Sequence, residues 1–143
     1  MKNRECRGIV LDTKKNFSVV AMAYEKFFNL HEKYFDPSNF NWSDFRVYEK
    51  LDGSICTLYY YGNEWHIASS STPNSSGTLS GQTTQSQLFW QIWKELNYKL
   101  PSDTNLCYTF ELMSKDHVII IVPEKNGISK FFFFFFCFYF LLF

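Results

Sequence analysis

The chain has 143 residues, 46% of them hydrophobic, and its fourteen basic side chains are balanced by fourteen acidic ones. That supplies enough apolar matter for one packed domain, or part of a larger one, and excludes a chain that is disordered by composition. Zero net charge also excludes binding nucleic acid through a global positive field, so any such contact has to be local.

The amino terminus, Met1 to Gly8, carries Lys2, Arg4, Glu5 and Arg7 and lacks the apolar core of a signal peptide. This favours an intracellular location, cytoplasm or nucleus. Cys6, Cys56, Cys107 and Cys137 show neither the close pairing of a zinc site nor the density of a disulfide scaffold, and read as reduced structural thiols. Residues 8–11 and 17–23, joined by polar Thr13 to Asn16, predict a β-hairpin. Tyr24 to Glu32 is too short and too aromatic to be assigned as helix, and Asp36 to Asp44 reads as a connecting loop. Strands are expected at about 45–50 and 55–61, with Gly62-Asn63 as a tight turn into a third strand, Glu64 to Ala68. Residues 69–81 are rich in Ser, Thr and Gly and read as a flexible loop able to offer hydroxyl and amide donors.

From Gln82 to Leu96 the apolar residues at 88, 89, 92, 93 and 96 follow a helical period, with Thr83 or Thr84 available as N-cap. After Pro101, residues 106–113 and 118–122 read as strands, the first alternating and the second continuously apolar, and Pro123 to Gly127 as a turn. The tail, 131–143, has no charge and no period, and its 13 residues fall short of a bilayer span. Six consecutive phenylalanines are what a thymine-rich non-coding stretch gives when translated. The tail is therefore expected to lie outside the fold, as an aberrant end whose removal improves solubility, with a membrane anchor as the alternative.

Chemistry concentrates in Lys50-Leu51-Asp52-Gly53-Ser54, entered from the alternating segment Phe45 to Glu49. A lysine becomes a nucleophile when burial or neighbouring cations depress its pKa from about 10.4. Asp52 can orient that amine or a hydrated metal, and Gly53 permits a tight backbone path beside a ligand. The alternative is a lysine at the mouth of an ordinary hairpin turn.

Four stretches in order carry a resemblance: Glu5-Cys6-Arg7-Gly8-Ile9-Val10, Glu25-Lys26-Phe27-Phe28-Asn29-Leu30, Lys50 to Ser54, and Tyr108-Thr109-Phe110-Glu111-Leu112-Met113-Ser114. With them the chain resembles the ATP-dependent RNA ligases of the bacteriophage tRNA-repair type, members of the covalent nucleotidyltransferase superfamily. The resemblance implies an α+β fold, a partial adenylyltransferase domain over residues 1–130 in which a mainly antiparallel sheet carries one packing helix. It implies that Lys50 attacks ATP and holds AMP as a phosphoramidate, which passes to an RNA 5′-phosphate and is displaced by a 3′-hydroxyl. Arg7 and Lys26 would meet the triphosphate, Phe28 would lie near the nucleotide, Asp52 and Gly53 would flank the nucleophile, and Glu111 would stand beside the nucleotide or its hydrated Mg²⁺. The partners implied are RNA ends; no stable membrane span and no protein partner is implied. Taken singly, Arg7, Lys26 and Glu111 read as solvated charges and Phe28 as core.

The departures are specific. About twenty residues beyond the nucleophile the phage enzyme has a pocket lysine, where this chain has Ala68-Ser69-Ser70-Ser71-Thr72. A basic residue and a proline often precede the family's second stretch, where this chain has Met22-Ala23. The family's Glu-Gly motif and later lysine pair do not follow Asn126-Gly127-Ile128. Lacking those transition-state contacts, the polypeptide is expected to be an incomplete ligase without competent activity. The alternatives are a non-catalytic nucleotide- or RNA-binding remnant, and a DNA ligase or capping enzyme, which share Lys-x-Asp-Gly.

Overall fold

The computed structural model describes residues 8–23, 53–78 and 82–113, the backbone of 131–139, and the single positions 32, 36, 38, 41 and 43. The expected strands at 45–50 and 118–122, the turn at 123–127, the segment from Tyr24 to His31 and most of the 36–44 connection lie outside the described residues.

Strands β1 (Val10–Asp12) and β2 (Ser18–Ala21) form the expected antiparallel hairpin. Its loop turns through Asn16 and Phe17, both with positive φ, so Phe17 leaves the strand and is exposed. Strands β3 (Ser54–Tyr61) and β4 (Glu64–Ala68) pair antiparallel around Gly62 and Asn63, whose φ values of 60° and 69° make the primed two-residue turn that matches strand twist. Helix α1 (Gln85–Glu95) follows, then β5 (Leu106–Leu112), which pairs antiparallel with β3. The larger sheet has the order β4-β3-β5-β6, where β6 is Phe131–Tyr139. The described part is thus α+β, mostly antiparallel, with one helix.

Period-2 alternation gives the sheet two different faces. On one, Cys56, Leu58, Ile67, Phe110 and Leu112 pack against Phe89, Ile92 and Trp93 of α1. Phe89 holds this layer together: it is fully buried, with ring centroids 5.5 Å from Trp93 and 5.4 Å from Phe110. On the other face Tyr59, Ala68 and Cys107 form a smaller cluster with Ala21, flanked by Val10 and Val20 of the hairpin. Hairpin and sheet are further tied by the Tyr61 hydroxyl, which donates to Asp12 Oδ2 at 2.5 Å.

The helix starts where its capping box dictates. Thr84 Oγ1 accepts from the Gln87 amide at 3.1 Å, and the Gln87 side chain accepts from the Thr84 amide at 2.8 Å. Thr83 has no acidic or amide residue three positions on, since Ser86 stands there.

The tail departs from expectation. Residues 131–139 pair antiparallel with β5, from Leu112↔Phe131 to Leu106↔Tyr139, with an irregularity between Cys107 and Thr109. The missing period misled because alternation reports which face is buried, not whether a strand forms. A phenylalanine run has high β-propensity at every position, and β5 presents an edge that such a strand can cover.

Candidate functional site

β3 begins, and β4 and β5 end, at the same end of the sheet, as the register Thr57↔Ala68 and Ser54↔Leu112 requires. There the Gly53 amide donates to Glu111 Oε1 at 2.9 Å. The bond follows from pairing: Ile55 lies opposite Glu111, so the Glu111 side chain stands on the hairpin face and reaches the backbone just before β3. Gly53 is required by close approach rather than by a special φ. A Cβ there would stand 2.5 Å from the Leu112 carbonyl oxygen and 2.9 Å from Met113 Cγ.

The Ser-rich departure sits at the same end. Ser69 organises it: its amide donates to the Thr72 carbonyl at 2.9 Å, while its Oγ accepts from the Thr72 amide at 3.0 Å and lies 3.0 Å from Thr72 Oγ1. Much of the hydrogen-bonding capacity of these hydroxyls is therefore spent within the turn. Gly8, with φ of 74°, lies against it; a Cβ there would come 3.8 Å from Ser70 Cα and 3.9 Å from the Ser69 carbonyl oxygen. Gly8 thus brings the first of the four sequence stretches to the end of the sheet that carries Gly53 and Glu111. Lys50, Asp52, Arg7, Lys26 and Phe28 lie outside the described residues.

Helix α1 abuts this end without offering it an anion site. Its first four amides are taken by the Gly77 and Ser75 carbonyls, the Thr84 hydroxyl and the Thr84 carbonyl, at 3.0 to 3.1 Å. Its buried Gln85 instead clamps the start of β3, with Nε2 3.2 Å from both the Ile55 carbonyl oxygen and Cys56 Sγ. Sequence reading missed this clamp; a polar residue one position after an N-cap, facing an apolar layer, was its only signal. Burial pushes the Cys56 thiol up to about 12, against the Gln85 hydrogen bond and with the Glu111 charge adding to the rise. Cys107 is raised by burial as well. Neither is a nucleophile at neutral pH. Among the described residues no cluster of His, Cys, Asp or Glu side chains could by itself hold a metal.

The sequence profile described as RNA ligase matches residues 5–131, ending where the phenylalanine run begins. Two viral relatives are similar at 27% identity. One is a protein of Autographa californica nuclear polyhedrosis virus named as a bifunctional polynucleotide kinase/RNA ligase, aligned over 85% of this chain and 20% of its own length. The other is the RNA ligase of Rhodothermus phage RM378, aligned over 86% of this chain and 35% of its own length. The chain therefore spans about a fifth and about a third of these relatives. No solved structure matches the chain significantly. A profile match across most of the sequence, together with the meeting of its separate motif stretches at one end of the sheet, shows that this chain belongs to the RNA ligase family.

Proposed function

We propose that the chain carries the nucleotide-binding part of an ATP-dependent RNA ligase adenylyltransferase domain, over residues 1–130, with Lys50 as the nucleophile. The observation that carries this reading is the Gly53–Glu111 hydrogen bond, which ties the stretch containing Lys50 to the stretch containing Glu111. In this reading the Lys50 amine, once deprotonated, attacks the α-phosphorus of ATP. The N–P bond forms as the bond to pyrophosphate breaks, leaving lysyl-AMP; AMP then passes to an RNA 5′-phosphate, and a 3′-hydroxyl displaces it to join the ends. Arg7 and Lys26 supply positive charge to the departing pyrophosphate, Phe28 lies against the nucleoside, and Asp52 orients the amine.

A single carboxylate at the site's edge suits Mg²⁺, which binds through one or two carboxylates plus substrate phosphates rather than in an all-protein cage. Glu111 would hold it, and bound Mg²⁺ would neutralise triphosphate charge. The family's later Glu-Gly motif and lysine pair are not among these 143 residues, so adenylylation by this polypeptide is expected to be slow and RNA joining undetectable, with ATP binding retained.

The test is incubation with α-labelled ATP and Mg²⁺. Acid-stable, hydroxylamine-labile label, lost in Lys50→Ala, supports the enzyme. ATP-dependent thermal stabilisation without label supports the non-catalytic reading, and a preference for GTP a capping enzyme.

A further inference from the structure

Along the hairpin face of the sheet, apolar Tyr59, Ala68 and Cys107 give way to Thr57 and Thr109, which lie directly opposite each other across β3 and β5, and then to Ile55 and Glu111. Both threonines are buried, Thr57 at 3% and Thr109 at 4% exposure. The Thr109 hydroxyl has no hydrogen-bond partner. A desolvated hydroxyl without a partner is unfavourable, and a valine of the same shape would avoid the penalty. Its presence two residues from Glu111 therefore calls for a partner that the protein itself does not supply.

The chemistry of that partner follows from the surroundings. No lysine or arginine stands among the described residues of this face, and the nearest charge along β5 is the Glu111 carboxylate. A phosphate would be repelled here, whereas an uncharged hydrogen-bonding group would not. Thr109 lies about 7 Å from Glu111 along the strand, from a rise of roughly 3.4 Å per residue, which is the scale separating a nucleotide's sugar from the far edge of its base. A hydroxyl, both donor and acceptor, can meet either kind of base-edge atom.

We propose that Thr109 reads the base of the bound nucleotide, its hydroxyl bonding a purine edge atom while the phosphates lie beyond Gly53 towards Lys50. This rests on the ATP-binding reading above.

The test is calorimetric binding of ATP and of tripolyphosphate, which has no base, to the full chain and to its Thr109→Val and Thr109→Ser variants. Thr109→Val should weaken ATP about 3- to 10-fold, the range expected for one neutral hydrogen bond. It should leave tripolyphosphate unchanged and raise the melting temperature of the ligand-free protein. Thr109→Ser should restore most of the ATP affinity. Equal ATP affinity in wild type and Thr109→Val would overturn the proposal, as would a parallel loss of tripolyphosphate binding or a lower ligand-free melting temperature. Failure of the wild-type chain to bind ATP would overturn the ATP-binding reading as well, so the two failures are distinguishable.

Discussion

The Gly53 amide and the Glu111 carboxylate are 58 residues apart in sequence and 2.9 Å apart in the fold. One is the residue after Asp52 in the Lys50–Ser54 stretch; the other is the acidic centre of the Tyr108–Ser114 stretch. The bond fixes where the backbone that follows Lys50 lies relative to β5, and three substitutions separate its parts.

Gly53→Ala drives a methyl into the Leu112 carbonyl at 2.5 Å, and backbone cannot yield as a side-chain tip can. It should destabilise the fold by about 2 kcal/mol or more, in the range of overpacked core substitutions, and weaken ATP binding with it. Glu111→Ala leaves the amide without its carboxylate and should cost about 1–3 kcal/mol. Glu111→Gln keeps an acceptor and should leave thermal stability nearly unchanged while reducing the Mg²⁺ dependence of ATP binding. Denaturant titrations alongside ATP titrations with and without Mg²⁺ read all three.

The capping box makes a sharper prediction than the helical period does. Thr84→Ala should cost about 1 kcal/mol, a typical N-cap loss, whereas Thr83→Ala should be nearly silent. Chemical denaturation of the two variants checks it, and equal losses would show that the helix starts elsewhere.

The hairpin is latched to the sheet by one pH-sensitive bond. The Tyr61 hydroxyl is the chief reason the Asp12 carboxyl titrates below its ordinary value, with the Lys14 amide helping and desolvation opposing. The same bond, with desolvation added, raises the Tyr61 hydroxyl. A depressed carboxylate contributes stability that is present above its unfolded pKa of about 3.9 and lost as pH falls through the folded value. A raised tyrosine contributes stability that is present below about 10 and lost as pH rises through its folded value. Tyr61→Phe should therefore flatten both flanks of the stability profile and move the Asp12 titration, followed by carboxyl NMR shifts, back up towards the ordinary range.

Deleting residues 131–143 removes the phenylalanine run and leaves β5 as the sheet edge beside β3. Solubility should rise, and ATP affinity should be unchanged because Gly53 meets Glu111 from the β3 side. Tighter ATP binding with the tail present would show that β6 shapes the site. Static light scattering and calorimetry on the two lengths decide between them.

What the sequence made legible follows from how local each signal is. The Gly62-Asn63 turn, the hairpin and α1 were readable because turn chemistry and the 3.6-residue period act over a few residues. Strand β5 was readable from its alternation, but its pairing with β3 was not, since register is set by contacts distant in sequence. Glu111 was singled out only through family resemblance; no local pattern says that a strand glutamate will accept from a glycine amide 58 residues away. The Asp12–Tyr61 latch and the Gln85 clamp were invisible for the same reason. The tail was misread because a strand made of one residue type has no alternation to detect.

The measurement that bears most directly on the account is covalent labelling of the purified chain with α-labelled ATP and Mg²⁺, with the labelled peptide identified by mass spectrometry. The account predicts slow, acid-stable label on the peptide containing Lys50, absent in Lys50→Ala and reduced in Glu111→Ala. Bound ATP with no label, or label that persists in Lys50→Ala, would contradict it.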